Sequence, residues 1–151
     1  MRRQLTSAQV KSSVAGRLEL STVTKAWLGN LASAVLPPTG FSIVAVGGLG
    51  RNEMCAASDI DVLLLHSMNV APSDVTVAAD KLWYPIWDSN LKLDHSVRNF
   101  AQARTMAADD FKVLLGLLTA EVIWGDPSEF ERLKVSVLTD WRAQAVKRMP
   151  E

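Results

Sequence analysis

Two aspartates flank a single apolar residue at the start of a hydrophobic segment, Asp59-Ile60-Asp61 followed by VLLL. Successive side chains of a strand point to opposite faces, so aspartates two positions apart stand on the same face. Aspartate is disfavoured inside strands, and the pair therefore needs an explanation. The carboxylates could cap a neighbouring turn, or they could hold Mg²⁺ against a phosphate-bearing substrate.

Residues that could bind phosphate precede the aspartate pair: three glycines, a cation and a hydroxyl, at Gly47, Gly48, Gly50, Arg51 and Ser58. Backbone N–H groups of a glycine turn can approach phosphate oxygens because no Cβ intervenes. Glycines alone are equally typical of a turn that needs them for steric reasons. Their combination with the aspartate pair favours a metal-dependent nucleotide site.

A third carboxylate would complete a site of the two-metal kind. The segment 91–98, LKLDHSVR, alternates apolar and mostly polar residues as a half-buried strand does. Asp94 shares its polar face with Lys92, Ser96 and Arg98. If this strand pairs beside the strand of the aspartate pair, Asp94 faces that pair; otherwise it is an ordinary solvent-facing residue.

The candidate residues lie on predicted strands and in the turn between two of them, so a sheet must position them, and predicted helices surround that sheet. We predict an α/β (α+β) fold: a small mixed sheet covered by helices, followed by a helical C-terminal segment. Within one compact domain, residues 1–40 form an N-terminal helical segment, 41–98 the sheet core and 99–151 the helical segment.

Three details of the helices are predicted from periodicity and breakers. Apolar residues at steps of three and four from Leu20 to Val35 predict one face of the first helix. Pro85 should kink or end the helix that contains it. A helix capped by Asp109 or Asp110 should continue through Val122.

Composition excludes several classes of protein. The 151 residues include 16 basic and 16 acidic ones, whereas nucleic-acid enzymes usually carry a basic excess. No apolar run approaches the roughly 20 residues of a membrane span. The lone Cys55 excludes an intrachain disulfide and fits a cytoplasmic protein.

Two segments resemble known enzymes. Residues 44–65, VAVGGLGRNEMCAASDIDVLLL, resemble the G-G-x-G-R…S-D-x-D signature of the DNA polymerase beta-like nucleotidyltransferase superfamily. Residues 83–98, WYPIWDSNLKLDHSVR, resemble the bacterial nucleotidylyltransferases that modify the PII nitrogen-signalling protein, and residues 110–126 extend the likeness. It covers roughly residues 41–130.

The resemblance implies a nucleotidyltransferase fold and Mg²⁺-dependent transfer of UMP or AMP, from UTP or ATP, to a tyrosine hydroxyl of a PII protein, with release of pyrophosphate. It also implies residue roles: triphosphate contacts at Gly47, Gly48, Arg51 and Ser58, and metal ligands at Asp59 and Asp61. Asp94 is our candidate for the third ligand, although some members have glycine there and an acidic residue at the position of Lys92.

Two alternatives stay open: transfer to a small molecule, and a non-catalytic nucleotide-binding module. The W-D…H-S-V-R segment weighs against the first, and the intact aspartate pair weighs against the second. Because enzymes of this family are several times longer, the resemblance implies a truncated N-terminal fragment. We expect such a fragment to bind a nucleoside triphosphate with Mg²⁺ but to modify PII poorly.

Overall fold

The computed structural model describes residues 14–55 and 58–148. Its elements follow in chain order as α1 Val14–Val35, β1 Phe41–Ala45, α2 Gly47–Gly50, β2 Ile60–His66, α3 Pro72–Asp88, β3 Leu93–Asn99, α4 Phe100–Asp109, α5 Phe111–Leu118, β4 Glu121–Gly125 and α6 Ser128–Arg148. The predicted mixed α/β fold is confirmed. No helix in the described ranges is long and apolar enough to cross a membrane.

The four strands form one mixed sheet in the order β3-β2-β1-β4. Strand β1 is antiparallel to both of its neighbours, whereas β2 and β3 are parallel. A parallel pair needs a crossover connection, and α3 provides it. The expected pairing of the alternating strand 91–98 beside the aspartate-pair strand is therefore observed.

Helices cover both faces of the sheet. On what we call the α1–α3 face, Ile43, Ile60 and Leu64 pack against Leu28 of α1 and Leu82 of α3. On the opposite face, the α4–α6 face, strand residues pack against three helices; this second cluster includes Val44, Leu63, Leu65, Ala103, Leu114, Leu117, Phe130 and Leu133. The alternation of β2 thus supplies apolar side chains to both layers.

The predicted helix through Val122 is wrong at its C-terminal end. Helix α5 begins after the Asp110 cap, whose carboxylate accepts from the Lys112 N–H, but it ends at Leu118. The next residues form β4, so the segment 99–151 is not wholly helical. The run Val122-Ile123-Trp124 is rich in the β-branched and aromatic residues that strands favour, and pairing with β1 covers an edge that would otherwise be open.

Of two smaller predictions, the one on α1 needs correction and the one on Pro85 does not. The most buried positions of α1 are Leu20, Ser21, Thr24, Leu28 and Ala32, so its buried face is centred about one residue away from the predicted stripe. Helix α3 ends at Asp88, in the same turn as Pro85, close to where the proline predicts a helix end. Because Pro85 lies in the last turn, its missing N–H removes one hydrogen bond near a helix end.

Candidate functional site

The turn between β1 and β2 brings the backbone against a carboxylate. Gly47 has φ 58°, in the left-handed region that favours glycine. A Cβ built on Gly47 would lie 2.5 Å from Oδ2 of Asp61. The conformation of Gly47 therefore favours glycine, and any larger residue there would also have to displace the Asp61 carboxylate.

The other two glycines of the turn differ in their surroundings. A Cβ on Gly50 would lie 2.5 Å from the carbonyl oxygen of Ala45, so close packing of the backbone requires glycine there. A Cβ on Gly48 would meet nothing closer than the carbonyl oxygen of Glu53 at 3.9 Å. Packing within the protein thus explains Gly50 but gives no steric reason for Gly48.

Asp61 and Asp94 stand opposite each other on neighbouring parallel strands. Paired positions of adjacent strands present their side chains to the same face, which here is the α4–α6 face. Burial raises the pKa of Asp61 to about 6, and the negative charges of Asp94 and Asp59 add to the effect, whereas Arg51 opposes it. The electrostatic effect of both neighbours shows that the three carboxylates share one region of negative charge.

A cleft opens where these carboxylates stand. It has a volume of about 630 Å³, within the usual range for small-molecule sites. Gly47, Asp61 and Asp94 lie on the sheet side of its wall. Residues of α4 and α5 form much of the remaining wall, including Ala103, Lys112, Val113, Leu115, Gly116 and Leu117.

Three cations line the same cleft: Arg51, Arg98 and Lys112. Arg51 is exposed, and its Nε donates to Oε2 of Glu53 at 3.1 Å. The three cations come from the glycine turn, β3 and α5. A cleft that combines carboxylates with several cations suits a metal–polyphosphate ligand, because each charge of that ligand has a counterpart in the wall.

Four of the seven predicted site residues line the cleft: Gly47, Arg51, Asp61 and Asp94. Asp59 is exposed and lies outside the lining, although its charge raises the pKa of Asp61. Gly48 and Ser58 also lie outside the lining. The Ser58 Oγ accepts a hydrogen bond from the Cys55 N–H, so this hydroxyl stabilises the loop before β2.

Sequence reasoning did not assign the roles of two cations. Arg98 shares the polar face of its strand with Asp94, and this shared face is the signal that points to Arg98. Lys112 had no such signal, because its position depends on how α5 packs against the sheet. Both side chains line the cleft.

The donor set fits a hard divalent cation bound together with phosphates. In residues 14–55 and 58–148, no three carboxylate, imidazole or thiol groups are close enough to hold an ion by themselves. Mg²⁺ in transferases is usually bound by one or two carboxylates, with substrate phosphates and water as the other ligands. Burial and then the neighbouring negative charges raise the pKa of Asp61, and a cation at this place would offset those charges.

The curated proteins that this sequence resembles share one enzyme name. The chain is 46% identical over 153 aligned positions, covering 99% of its length, to a bifunctional uridylyltransferase/uridylyl-removing enzyme of Streptomyces coelicolor. It is 44% identical, over 84% of its length, to the Mycobacterium tuberculosis enzyme of the same name. The chain spans only 18% and 16% of these relatives. No protein-family model matches the sequence.

A solved structure supports the fold alone. One chain of a crystal structure of a toxin–antitoxin with AMP-PNP superposes with a TM-score of 0.50 at 17% identity, covering 82% of this chain and 91% of that one. The arrangement of sheet and helices is therefore shared with that chain.

Proposed function

Because the chain belongs to the family of bifunctional uridylyltransferase/uridylyl-removing enzymes, we propose that its cleft transfers UMP from UTP to a tyrosine hydroxyl of a PII nitrogen-regulatory protein. The observation that carries this proposal is the pairing of Asp61 with Asp94 beside Gly47, in a cleft that also contains three cations. The name of the relatives favours UTP over ATP as the donor. A nucleotide substrate and a single, unpaired cysteine both fit a cytoplasmic enzyme.

The proposed reaction is a displacement at the α-phosphorus. The tyrosine oxygen attacks phosphorus and loses its proton, while the bond from phosphorus to the pyrophosphate oxygen breaks. Asp61 and Asp94 would hold Mg²⁺ together with the phosphates of the substrate, and Asp59 would add negative charge nearby. When bound, the ion neutralises phosphate charge and favours the deprotonated nucleophile.

The residues of the chain contribute orientation and charge. Gly47 and Gly48 let the triphosphate approach the backbone of the turn. Arg51, Arg98 and Lys112 neutralise the charge that develops on the departing pyrophosphate. The apolar wall formed by Val113 and Leu115 excludes water from one side of the nucleotide, which strengthens these charge interactions.

The direct test incubates the protein with Mg²⁺, a PII protein and either labelled UTP or labelled ATP. We expect label from UTP on one tyrosine of the PII protein, identified by peptide mass spectrometry, and none on a PII variant with phenylalanine at that tyrosine. The Asp61→Asn variant is the matched inactive control.

Other outcomes would replace the proposal. Label from ATP alone would change the donor, and label on a small hydroxyl compound but not on PII would change the acceptor. Mg²⁺-dependent nucleotide binding without any transfer would favour a non-catalytic binding module.

A further inference from the structure

One side of α1 contacts residues 47–54, which we call the nucleotide turn, and then β4, through Ser21, Lys25 and Ser33. Ser21, near the start, accepts a hydrogen bond from the Met54 N–H at 3.1 Å, and the Ser21 side chain is fully buried. Ser33, near the end, accepts from Nε1 of Trp124 at 2.9 Å. Residues four apart lie on the same side of a helix, so one stripe of α1 reaches both the turn and the strand.

Lys25 stands between these two contacts and joins three parts of the chain. Its Nζ donates to Oδ1 of Asn52 at 2.7 Å and to Oε2 of Glu121 at 2.6 Å. The Lys25 side chain is only 10% exposed, whereas that of Glu121 is 56% exposed. An ammonium group removed from water in this way needs such acceptors, so the two bonds fix where it lies.

Asn52 is the residue at which the nucleotide turn reverses direction. It has φ 58°, a left-handed conformation that asparagine tolerates better than most side chains. Its N–H donates to the carbonyl oxygen of Leu49, and the next N–H, of Glu53, donates to that of Gly48. The conformation of Asn52 therefore determines how the single turn of α2 closes and where Arg51, its immediate neighbour, is presented.

We propose that Lys25 is a positioning residue for the nucleotide site: through Asn52 it fixes the turn that places Gly48 and Arg51 against the triphosphate. The inference rests on the proposed function, since it concerns the same cleft. Lys25 does not line the cleft, and its effect on the nucleotide is transmitted by the turn.

The test compares Lys25→Met with Ser33→Ala. The first variant removes the ammonium but retains an unbranched apolar stem. The second removes a hydrogen bond at the far end of the same α1–β4 contact, where the nucleotide turn is not involved. Titration calorimetry with UTP and Mg²⁺ measures affinity, amide hydrogen exchange of residues 51–54 measures the order of the turn, and thermal melts measure stability.

We expect Lys25→Met to weaken UTP binding about tenfold and to speed exchange at residues 51–54. Ser33→Ala should leave both unchanged. Asn52→Gly, which retains access to the left-handed conformation but lacks the acceptor, should weaken binding similarly, and the double variant should be little worse than either single one.

Three results would overturn the inference, and they can be told apart. If the wild type binds UTP and Lys25→Met binds it equally well, Lys25 does not position the turn, and the proposed function stands. If the wild type binds neither UTP nor ATP in the presence of Mg²⁺, the proposed function fails and this inference fails with it. Equal losses in Lys25→Met and Ser33→Ala would show a purely structural role and would also contradict the inference.

Discussion

Strand β2 presents different residues to the two faces of the sheet, although its alternation is regular. Toward the α1–α3 face it presents Ile60, Val62 and Leu64, which are at most 2% exposed. Toward the α4–α6 face it presents Leu63 and Leu65, which are also buried, but its first position on that face is Asp61. The same strand end is thus part of the core on one face and the wall of a cleft on the other.

This difference separates stability from chemistry within one strand. A carboxylate at the buried position of Ile60 would lose its hydration without compensation. Asp61 is partly exposed to solvent in the cleft, so the free-energy cost of burying its charge is smaller and appears as a raised pKa. Substitutions on the α1–α3 face should therefore change stability, and substitutions at the cleft should change binding and turnover.

The largest expected effect is on turnover. Asp61→Asn and Asp94→Ala should each lower UMP transfer by about three orders of magnitude or more, because each removes a charge used in the transition state. Nucleotide affinity should fall little in Asp94→Ala, since the turn and the remaining aspartates still bind the triphosphate. Single-turnover kinetics measures transfer and nucleotide affinity, and circular dichroism checks that the variants are folded. Near-normal transfer by folded Asp61→Asn would show that Asp61 is not a residue of the site.

The second prediction compares a leucine on the α1–α3 face of the sheet with a leucine that lines the cleft on the α4–α6 face. Leu64→Ala should lower the free energy of unfolding by about 2–5 kcal/mol, because Leu64 is fully buried and its loss leaves a cavity. Leu115→Ala should cost under about 1 kcal/mol, since Leu115 is 47% exposed at the cleft. Urea denaturation measures both. Equal losses would mean that α5 covers the cleft more tightly than the structure shows.

The third prediction concerns the glycine that packing does not require. Gly48→Ala should leave stability unchanged or slightly higher, because a Cβ there has no close neighbour, yet it should weaken UTP binding by about tenfold. Gly29→Ala is the matched control: its Cβ would lie at ordinary contact distance from the Ile123 carbonyl oxygen, away from the cleft. Unchanged UTP affinity in Gly48→Ala would show that the nucleotide does not approach this part of the turn.

The smallest expected effect is on the pH dependence of stability without metal. The pKa of Asp61 is about 6 when folded, above the ordinary value of 3.8, so the folded state binds the proton more tightly than the unfolded state. This contribution to stability is complete below about pH 4 and is lost as pH rises through about 6. Asp61→Asn does not titrate and should melt about 2 °C higher than wild type at pH 8, a modest shift because the group is partly solvated.

Addition of Mg²⁺ is the control for this measurement. The ion should stabilise the wild type and leave Asp61→Asn unaffected, since only the wild type retains the carboxylate. A variant that melts below the wild type throughout pH 4–8 in the absence of metal would contradict the assigned pKa shift.

Local pattern was sufficient for part of the site. Asp61 and the glycine turn are close in sequence. The period-two alternation of β2 predicts that Asp61 lies on the same face as Leu63 and Leu65, and the structure has it there, on the α4–α6 face. Asp94 required one further assumption, that two strands are neighbours, and the parallel register confirms its place opposite Asp61.

The remaining features depend on contacts between distant segments. Strand β4 follows directly on a leucine-rich helix, and only pairing with β1 shows that residues 121–125 leave the helical pattern. The bond between Lys25 and Asn52 joins residues 27 positions apart, and nothing in the periodicity of α1 marks that lysine. Such contacts are set by tertiary packing, which local sequence patterns do not encode.

The central claim is that the cleft on the α4–α6 face binds a nucleoside triphosphate through a metal held by Asp61. Titration calorimetry of wild type and Asp61→Asn with UTP, with Mg²⁺ and then with EDTA in its place, tests it most directly. We predict that wild-type binding needs Mg²⁺ and that Asp61→Asn binds weakly and equally under both conditions. Wild-type binding that is equally tight in EDTA, or Mg²⁺-dependent binding that survives in Asp61→Asn, would contradict the claim.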